Sequence, residues 1–193
     1  SATTTSSDID LKDRDLIVIN YLNNCKKVFE LGVGSGYTLS KVNAIYKGGV
    51  DISSKSIQLA KKLLLNDLDE KQIELHQNNI DAEDLPISSD KYDGLMIVET
   101  LEHLFDPIHA LSESNRILKK NGLLAITVPN IGYFETRFLM LSKGELNDFS
   151  GSGKILTEHI RFYGIKSLTQ IVELAGFKVV NVKGCMKKIV DSN

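Results

Sequence analysis

The chain lacks the features that would tie it to a membrane, a secretory route or a nucleic acid. No apolar stretch approaches the roughly 18 residues needed to span a bilayer, which argues against integral membrane association. Residues 1–8 are polar and Ser/Thr-rich, with no basic or apolar region, so they are not a secretory signal and read as a disordered lead. Cysteine occurs only as Cys25 and Cys185, far apart and without metal-ligand spacing. Isolated thiols of this kind suit a reducing, cytoplasmic compartment, and nothing in the sequence calls for a metal. A formal net charge of −2 gives no global attraction for nucleic acid. The one small basic cluster, Lys183 with Lys187 and Lys188, reads as a solvated strand end. There is neither an internal repeat nor a linker, and 193 residues suit a single domain, 1–193.

What is present is a regular alternation of strand and helix patterns. The spacing predicts a helix from about Asp10 to Asn23, a strand Lys26–Leu31, a helix Tyr37–Tyr46 and a strand Gly48–Ile52. A capped helix Ser54–Asn66, a strand Ile73–Gln77 and a buried strand Tyr92–Val98 follow. Pro107 opens a helix through Leu118 that Asn121-Gly122 closes, before a strand Leu123–Val128. A helix Ile165–Ala175, a strand Phe177–Lys183 and a weak strand Met186–Val190 end the chain. Such alternation implies an α/β doubly wound, mostly parallel sheet with helices on both faces. The rhythm breaks over residues 130–160, which read as a lid or substrate insertion after the fifth strand. Within it, Phe134, Phe138 and Leu141 share a helical face that either covers an acceptor or docks on the sheet as core.

The most informative segment is Val28-Phe29-Glu30-Leu31-Gly32-Val33-Gly34-Ser35-Gly36. Glycines at alternate positions after a strand permit a tight turn and close approach of a ligand to the backbone. An acid closing the next strand, Asp51, suits the two hydroxyls of a ribose, with helix capping as its plainer role. Glu30 beside the loop would repel a pyrophosphate and favour an ammonium or sulfonium group. The spacing therefore points to a cationic, nucleoside-bearing ligand more than to a dinucleotide.

These blocks resemble class I S-adenosylmethionine-dependent methyltransferases of the type 11 and type 12 small-molecule subgroup. Phe29–Gly36, Gly49-Val50-Asp51-Ile52-Ser53 and Asp81-Ala82-Glu83-Asp84-Leu85-Pro86 carry the likeness in order. Tyr92-Asp93-Gly94, Glu99–Leu104 and Leu118–Leu124 continue it, with a weaker match at His159–Tyr163 and Ala175-Gly176-Phe177. The resemblance implies a Rossmann-like seven-stranded sheet and S-adenosyl-L-methionine as cofactor. It implies that Glu30 and the backbone of Gly32, Gly34 and Gly36 hold the methionine part. Asp51 would take the ribose and Ile52 the adenine face, while Asp81 and Ala82 meet the adenine edge and Glu99 closes the methionyl end. His159 and His103 are the candidate bases, their plainer roles being a loop-pinning hydrogen bond and a pocket wall. Arg161, Tyr163 and Tyr133 are the candidate substrate contacts, an ion pair of Arg161 with Glu135 or Glu158 being equally compatible.

The expected activity is methyl transfer to a small-molecule or carrier-linked substrate, more at oxygen than nitrogen. Two other readings stay open: a donor-binding partner subunit without turnover, and a nucleotide-dependent oxidoreductase. A homodimer covering the sheet edge or the lid is compatible with the short final strand pair.

Overall fold

The computed structural model describes residues 13–132, 134–143 and 159–185. Helix α1 (Asp13–Leu22) leads into strand β1 (Lys27–Leu31), helix α2 (Tyr37–Lys41), strand β2 (Tyr46–Asp51) and helix α3 (Ser54–Leu64). Strands β3 (Ile73–Gln77) and β4 (Tyr92–Val98) follow, then helix α4 (Pro107–Ile117), strand β5 (Leu118–Thr127), helix α5 (Phe134–Lys143) and helix α6 (Ile165–Leu174). The five strands are parallel, in the order β3-β2-β1-β4-β5. The chain therefore winds outward from β1 to β3, then crosses back and winds the other way through β4 and β5. The reversal falls between β1 and β4, where a parallel sheet opens a crevice at its carboxyl ends.

The strands are apolar on both faces because helices cover both. Phe29 and Leu31 of β1 and Leu95 and Ile97 of β4 join one buried cluster with Leu111 and Ile117 of α4 and Val172 of α6. Val28 and Met96 point the other way, into a second cluster with Val18 and Leu22 of α1, Leu39 of α2 and Ala60 and Leu64 of α3. Local chemistry sets the helix ends. The Ser53 hydroxyl accepts from the Ser56 N–H at 3.3 Å, and the Asp106 carboxylate accepts from the His109 N–H at 2.9 Å, with Pro107 in the first turn. Gly176, at φ +88°, ends the α6 segment in the left-handed region.

Four expectations need correction. Among the described residues the sheet has five strands, not seven: residues 177–183 form no strand, and Val180 and Val182 are exposed. An apolar run becomes a strand only against a partner, and no described segment pairs with it or with the outer edge of β5. The Met186–Val190 strand lies outside the described residues. Helix α2 stops at Lys41, not Tyr46, because Val42 turns extended (φ −74°, ψ 134°) and buries Val42 and Ala44 while leaving Ile45 exposed. Asn121-Gly122 does not close α4, which ends at Ile117; Asn121 sits at φ +64° in an irregularity of β5, where the pairing with β4 shifts register between Tyr92 and Gly94. Lastly, Phe134, Phe138 and Leu141 of α5 are exposed, so that face is not docked as core. Residues 144–158, the remainder of the expected insertion, and residues 1–8 lie outside the described residues, as does Tyr133.

Candidate active site

The glycine loop sits at the sheet's reversal. The N–H groups of Gly32 and Val33 both donate to the Val50 carbonyl at 2.9 Å, folding the loop over the end of β2. Gly32, Gly34 and Gly36 all adopt positive φ (+73°, +51° and +76°). A Cβ on Gly32 would lie 2.4 Å from the Thr100 Oγ1, so here the bare backbone after β1 packs against the Thr100 side chain that follows β4. Gly34 differs: a Cβ there would meet nothing within 4 Å. Its surroundings are open space above the loop, a cradle into which a ligand could settle against the backbone.

Acidic groups ring this space. Asp51, at the end of β2, accepts from Gly34 N–H through Oδ2 and from Ser53 N–H through Oδ1, each at 2.9 Å. An ionised carboxylate has about four acceptor sites, so each oxygen keeps capacity for a ligand hydroxyl. Ile52 is exposed beside it. Glu30 lies buried beneath the loop, and its Oε2 has no hydrogen-bond partner. Burial pushes its carboxyl well above the usual range, the Leu39 backbone N–H opposes this, and the charges of Asp15 and Asp51 add to it. A buried carboxyl with one unpartnered oxygen beside an open cradle fits a cationic group above the loop.

The other strand ends are more occupied. Asp81 accepts from the Asp106 N–H through Oδ1 at 2.9 Å, and the Ala82 N–H donates to the Asn79 carbonyl at 3.0 Å. Glu99 follows β4 at φ +47°, an uncommon conformation for a non-glycine residue, with its N–H donating to the Thr127 carbonyl and its carboxylate ion-paired to Arg14 of α1.

Beyond Glu99 the chain makes a 3-10 turn, Leu101–His103. Glu102 is fully buried there, and neither carboxyl oxygen has a hydrogen-bond partner. Burial, with the neighbouring Glu99 charge, lifts its pKa to about 7, against the opposing pull of its own backbone N–H and of the Arg14 charge. Sequence reasoning gave Glu102 no role; its signal was an acid directly before His103, just past a strand end. The returning segment delivers His159 to the same place. Ile160 and Arg161 donate their N–H groups to the Glu102 carbonyl at 3.1 and 3.0 Å. The His159 Nε2 lies 3.9 Å from the Glu102 Oε1, and the His103 and His159 rings meet edge-on at 4.8 Å between centroids. The two candidate bases are thus neighbours around one buried carboxyl.

The proposed substrate contacts separate. Arg161 donates through Nε to the Leu104 carbonyl at 2.9 Å and through a terminal nitrogen to the Phe105 carbonyl, so it latches the return segment to the turn. Tyr163 is buried, its hydroxyl 3.4 Å from the Leu101 carbonyl, and burial raises its pKa. His76 lies on the edge strand β3 against Glu74, and His109 on the first turn of α4.

Comparison with known proteins agrees with this arrangement. The family model described as a methyltransferase domain matches residues 13–182. The chain belongs to the methyltransferase-domain family. Methyltransferases of this family and fold take S-adenosyl-L-methionine as donor, and the open cradle, the acid at the end of β2 and the buried Glu30 suit it. The ubiquinone biosynthesis O-methyltransferase of Coxiella burnetii is 26% identical over 162 residues, covering 82% of this chain and 66% of that one, so the chain spans just under two thirds of this relative's length. A solved S-adenosylmethionine-dependent methyltransferase of Thermotoga maritima is 24% identical, with a TM-score of 0.64 over 86% of this chain and 70% of that one. Another, from Aquifex aeolicus, is 21% identical, with a TM-score of 0.66 over 91% and 85%. These two likenesses establish the class I fold alone.

Proposed function

We propose that this methyltransferase transfers the methyl group of S-adenosyl-L-methionine to a hydroxyl of a small or carrier-linked acceptor. The observation that carries the donor half is the Gly32–Gly36 loop held against Asp51, with open space at Gly34. The oxygen acceptor is favoured by the 26% identical O-methyltransferase relative and by three proton-handling groups gathered past β4.

When bound, the donor supplies a methyl group already activated on a sulfonium sulfur. The work left to the chain is alignment, exclusion of water and removal of the acceptor's proton. The loop backbone and Glu30 favour the cationic methionine end, Asp51 takes the ribose hydroxyls, and Ile52 offers an apolar face to the adenine. Asp81 retains Oδ2 for an exocyclic amine; Ala82 would first have to release its N–H from Asn79. Glu99, fixed by Arg14, borders the methionyl end. A hydroxyl must lose a proton as it attacks, and His159 with His103 is where this chain can handle it. Arg161 and Tyr163 act on the acceptor indirectly, by holding the return segment in place.

Calorimetric titration with S-adenosylmethionine and S-adenosylhomocysteine tests this reading, in wild type and in Asp51→Asn. Micromolar binding to wild type is expected, weakened in the variant by about 1.5–3 kcal/mol, the usual worth of a charged hydrogen bond. Folded wild-type protein that binds neither compound would refute the assignment.

A further inference from the structure

The methyltransferase reading leaves one feature unexplained: a fully buried carboxyl, Glu102, with no hydrogen-bond partner on either oxygen. An unpartnered buried carboxylate is among the costlier groups a fold can carry. Two imidazoles stand beside it, and one ligand atom from each of Glu102, His103 and His159 lies within 4.8 Å of the others.

We propose that Glu102, His103 and His159 form a binding site for a divalent transition-metal ion. The ligand set is two imidazoles and one carboxylate, which suits zinc, iron(II), cobalt or manganese and leaves coordination positions open. Metal–ligand bonds of about 2.0–2.2 Å place tetrahedral ligands roughly 3.4 Å apart. The His159–Glu102 pair, at 3.9 Å, is about half an ångström wide of that. The widest ligand separation, up to 4.8 Å, closes with a combined side-chain movement of about 1.4 Å. The site is built from both directions. The 3-10 turn carries Glu102 and His103, and the Glu102 carbonyl itself receives the Ile160 and Arg161 N–H groups that fix the backbone next to His159.

The remaining part of the inference rests on the function proposed above. An acceptor hydroxyl entering an open coordination position would have its pKa lowered by the cation. Its proton then leaves to water, the oxygen forms the new bond to the methyl carbon, and the carbon–sulfur bond breaks with its electron pair retained by sulfur. The two histidines act as ligands in this scheme, and the substrate class narrows to acceptors that present oxygen.

The test uses the full chain, stripped with chelator and titrated with Co²⁺, following visible absorption and bound metal per chain. The expected result is one saturable Co²⁺ per chain. His103→Ala, His159→Ala and Glu102→Gln should each weaken binding by at least the roughly 10–100-fold that loss of a supporting residue costs. His76→Ala and His109→Ala, at the two remaining imidazoles, should leave it unchanged. Glu102→Gln keeps shape and removes the buried charge, so it guards against misfolding, which circular dichroism monitors. Absence of saturable uptake, or equal uptake by folded His159→Ala or Glu102→Gln, overturns the site. Donor titration of the same samples separates the two ideas: wild type that takes cobalt but no donor would sink the methyltransferase assignment while leaving the metal site standing.

Discussion

Replacing Gly32 with alanine should be far more damaging than the same change two residues later at Gly34. Both positions hold positive φ, +73° and +51°, and forcing an L-residue there costs about 1–2 kcal/mol. At Gly34 that is the whole cost, since the new methyl meets nothing within 4 Å. At Gly32 the methyl would fall 2.4 Å from the Thr100 Oγ1 and 2.5 Å from its Cγ2. Thr100 cannot swing aside cheaply: it is β-branched, and its hydroxyl donates to the Val98 carbonyl at 3.0 Å. Overpacking adds about 1–3 kcal/mol, so Gly32→Ala should cost about 2–5 kcal/mol in all. Urea unfolding, read from the midpoint at constant slope, measures both variants. Thr100→Ala should recover part of the loss when combined with Gly32→Ala, because it removes the two atoms that clash. Equal destabilisation by the two glycine changes would refute the close contact between the β1 loop and the segment after β4. Donor affinity should rank the other way among folded variants, with Gly34→Ala losing binding because its methyl enters the cradle.

Glu30 carries a carboxyl whose pKa burial raises, so the folded state holds its proton where the unfolded chain has lost it. Stability should therefore fall as pH rises above the unfolded carboxyl value of about 4.3; Glu30→Gln should flatten this decline in a pH series of thermal melts and weaken donor binding. Glu113 has the opposite sign: Arg116, bonded to it at 2.7 Å, holds its carboxyl below the usual range, and the Leu85 N–H also donates to it. Its contribution is present above the unfolded value and lost as pH falls through the folded one, so Arg116→Met should reduce the acid dependence of the urea midpoint. Asn121→Ala should destabilise by about 1 kcal/mol, because asparagine tolerates φ +64° better than alanine, and Asn121→Gly should not. Tyr163→Phe should cost under about 1 kcal/mol, the hydroxyl bond being long at 3.4 Å, whereas Tyr163→Ala should cost about 3–5 kcal/mol.

The parts of this fold written in local pattern were legible from the residues. Strands Ile73–Gln77 and Tyr92–Val98 emerge at the expected bounds, as short runs closed by turn residues. The glycine loop, Asp51 and a serine cap before the third helix announce themselves by residue types that few other positions need, the structure choosing Ser53 over Ser54 as the cap. Where one spacing serves two conformations, the sequence was ambiguous. Leu39, Val42 and Ile45 fit a helical face, yet Val42 is buried by extended chain and Ile45 is exposed. The Asn121-Gly122 pair reads as a helix stop but makes a strand irregularity, because both tasks want a residue at positive φ. Phe177–Lys183 has strand composition without a described partner, and pairing is a long-range property. Glu102 was the hardest to see: glutamate is almost never fully buried, and only the three-dimensional return of His159 gives it company. Arg161 was open to a substrate contact or an ion pair with Glu135 or Glu158; its guanidinium bonds as a carbonyl latch to Leu104 and Phe105, a contact that sequence spacing does not encode.

That latch bears on how the two imidazoles stay together. His159 owes its position to two backbone hydrogen bonds on the Glu102 carbonyl and to the Arg161 guanidinium on Leu104 and Phe105, all within three residues of it. All four bonds run from residues 160 and 161 to the turn past β4. Whatever loosens that turn therefore moves His103 and His159 together, so the two imidazoles behave as one mechanical unit whose spacing survives changes elsewhere that leave these bonds intact.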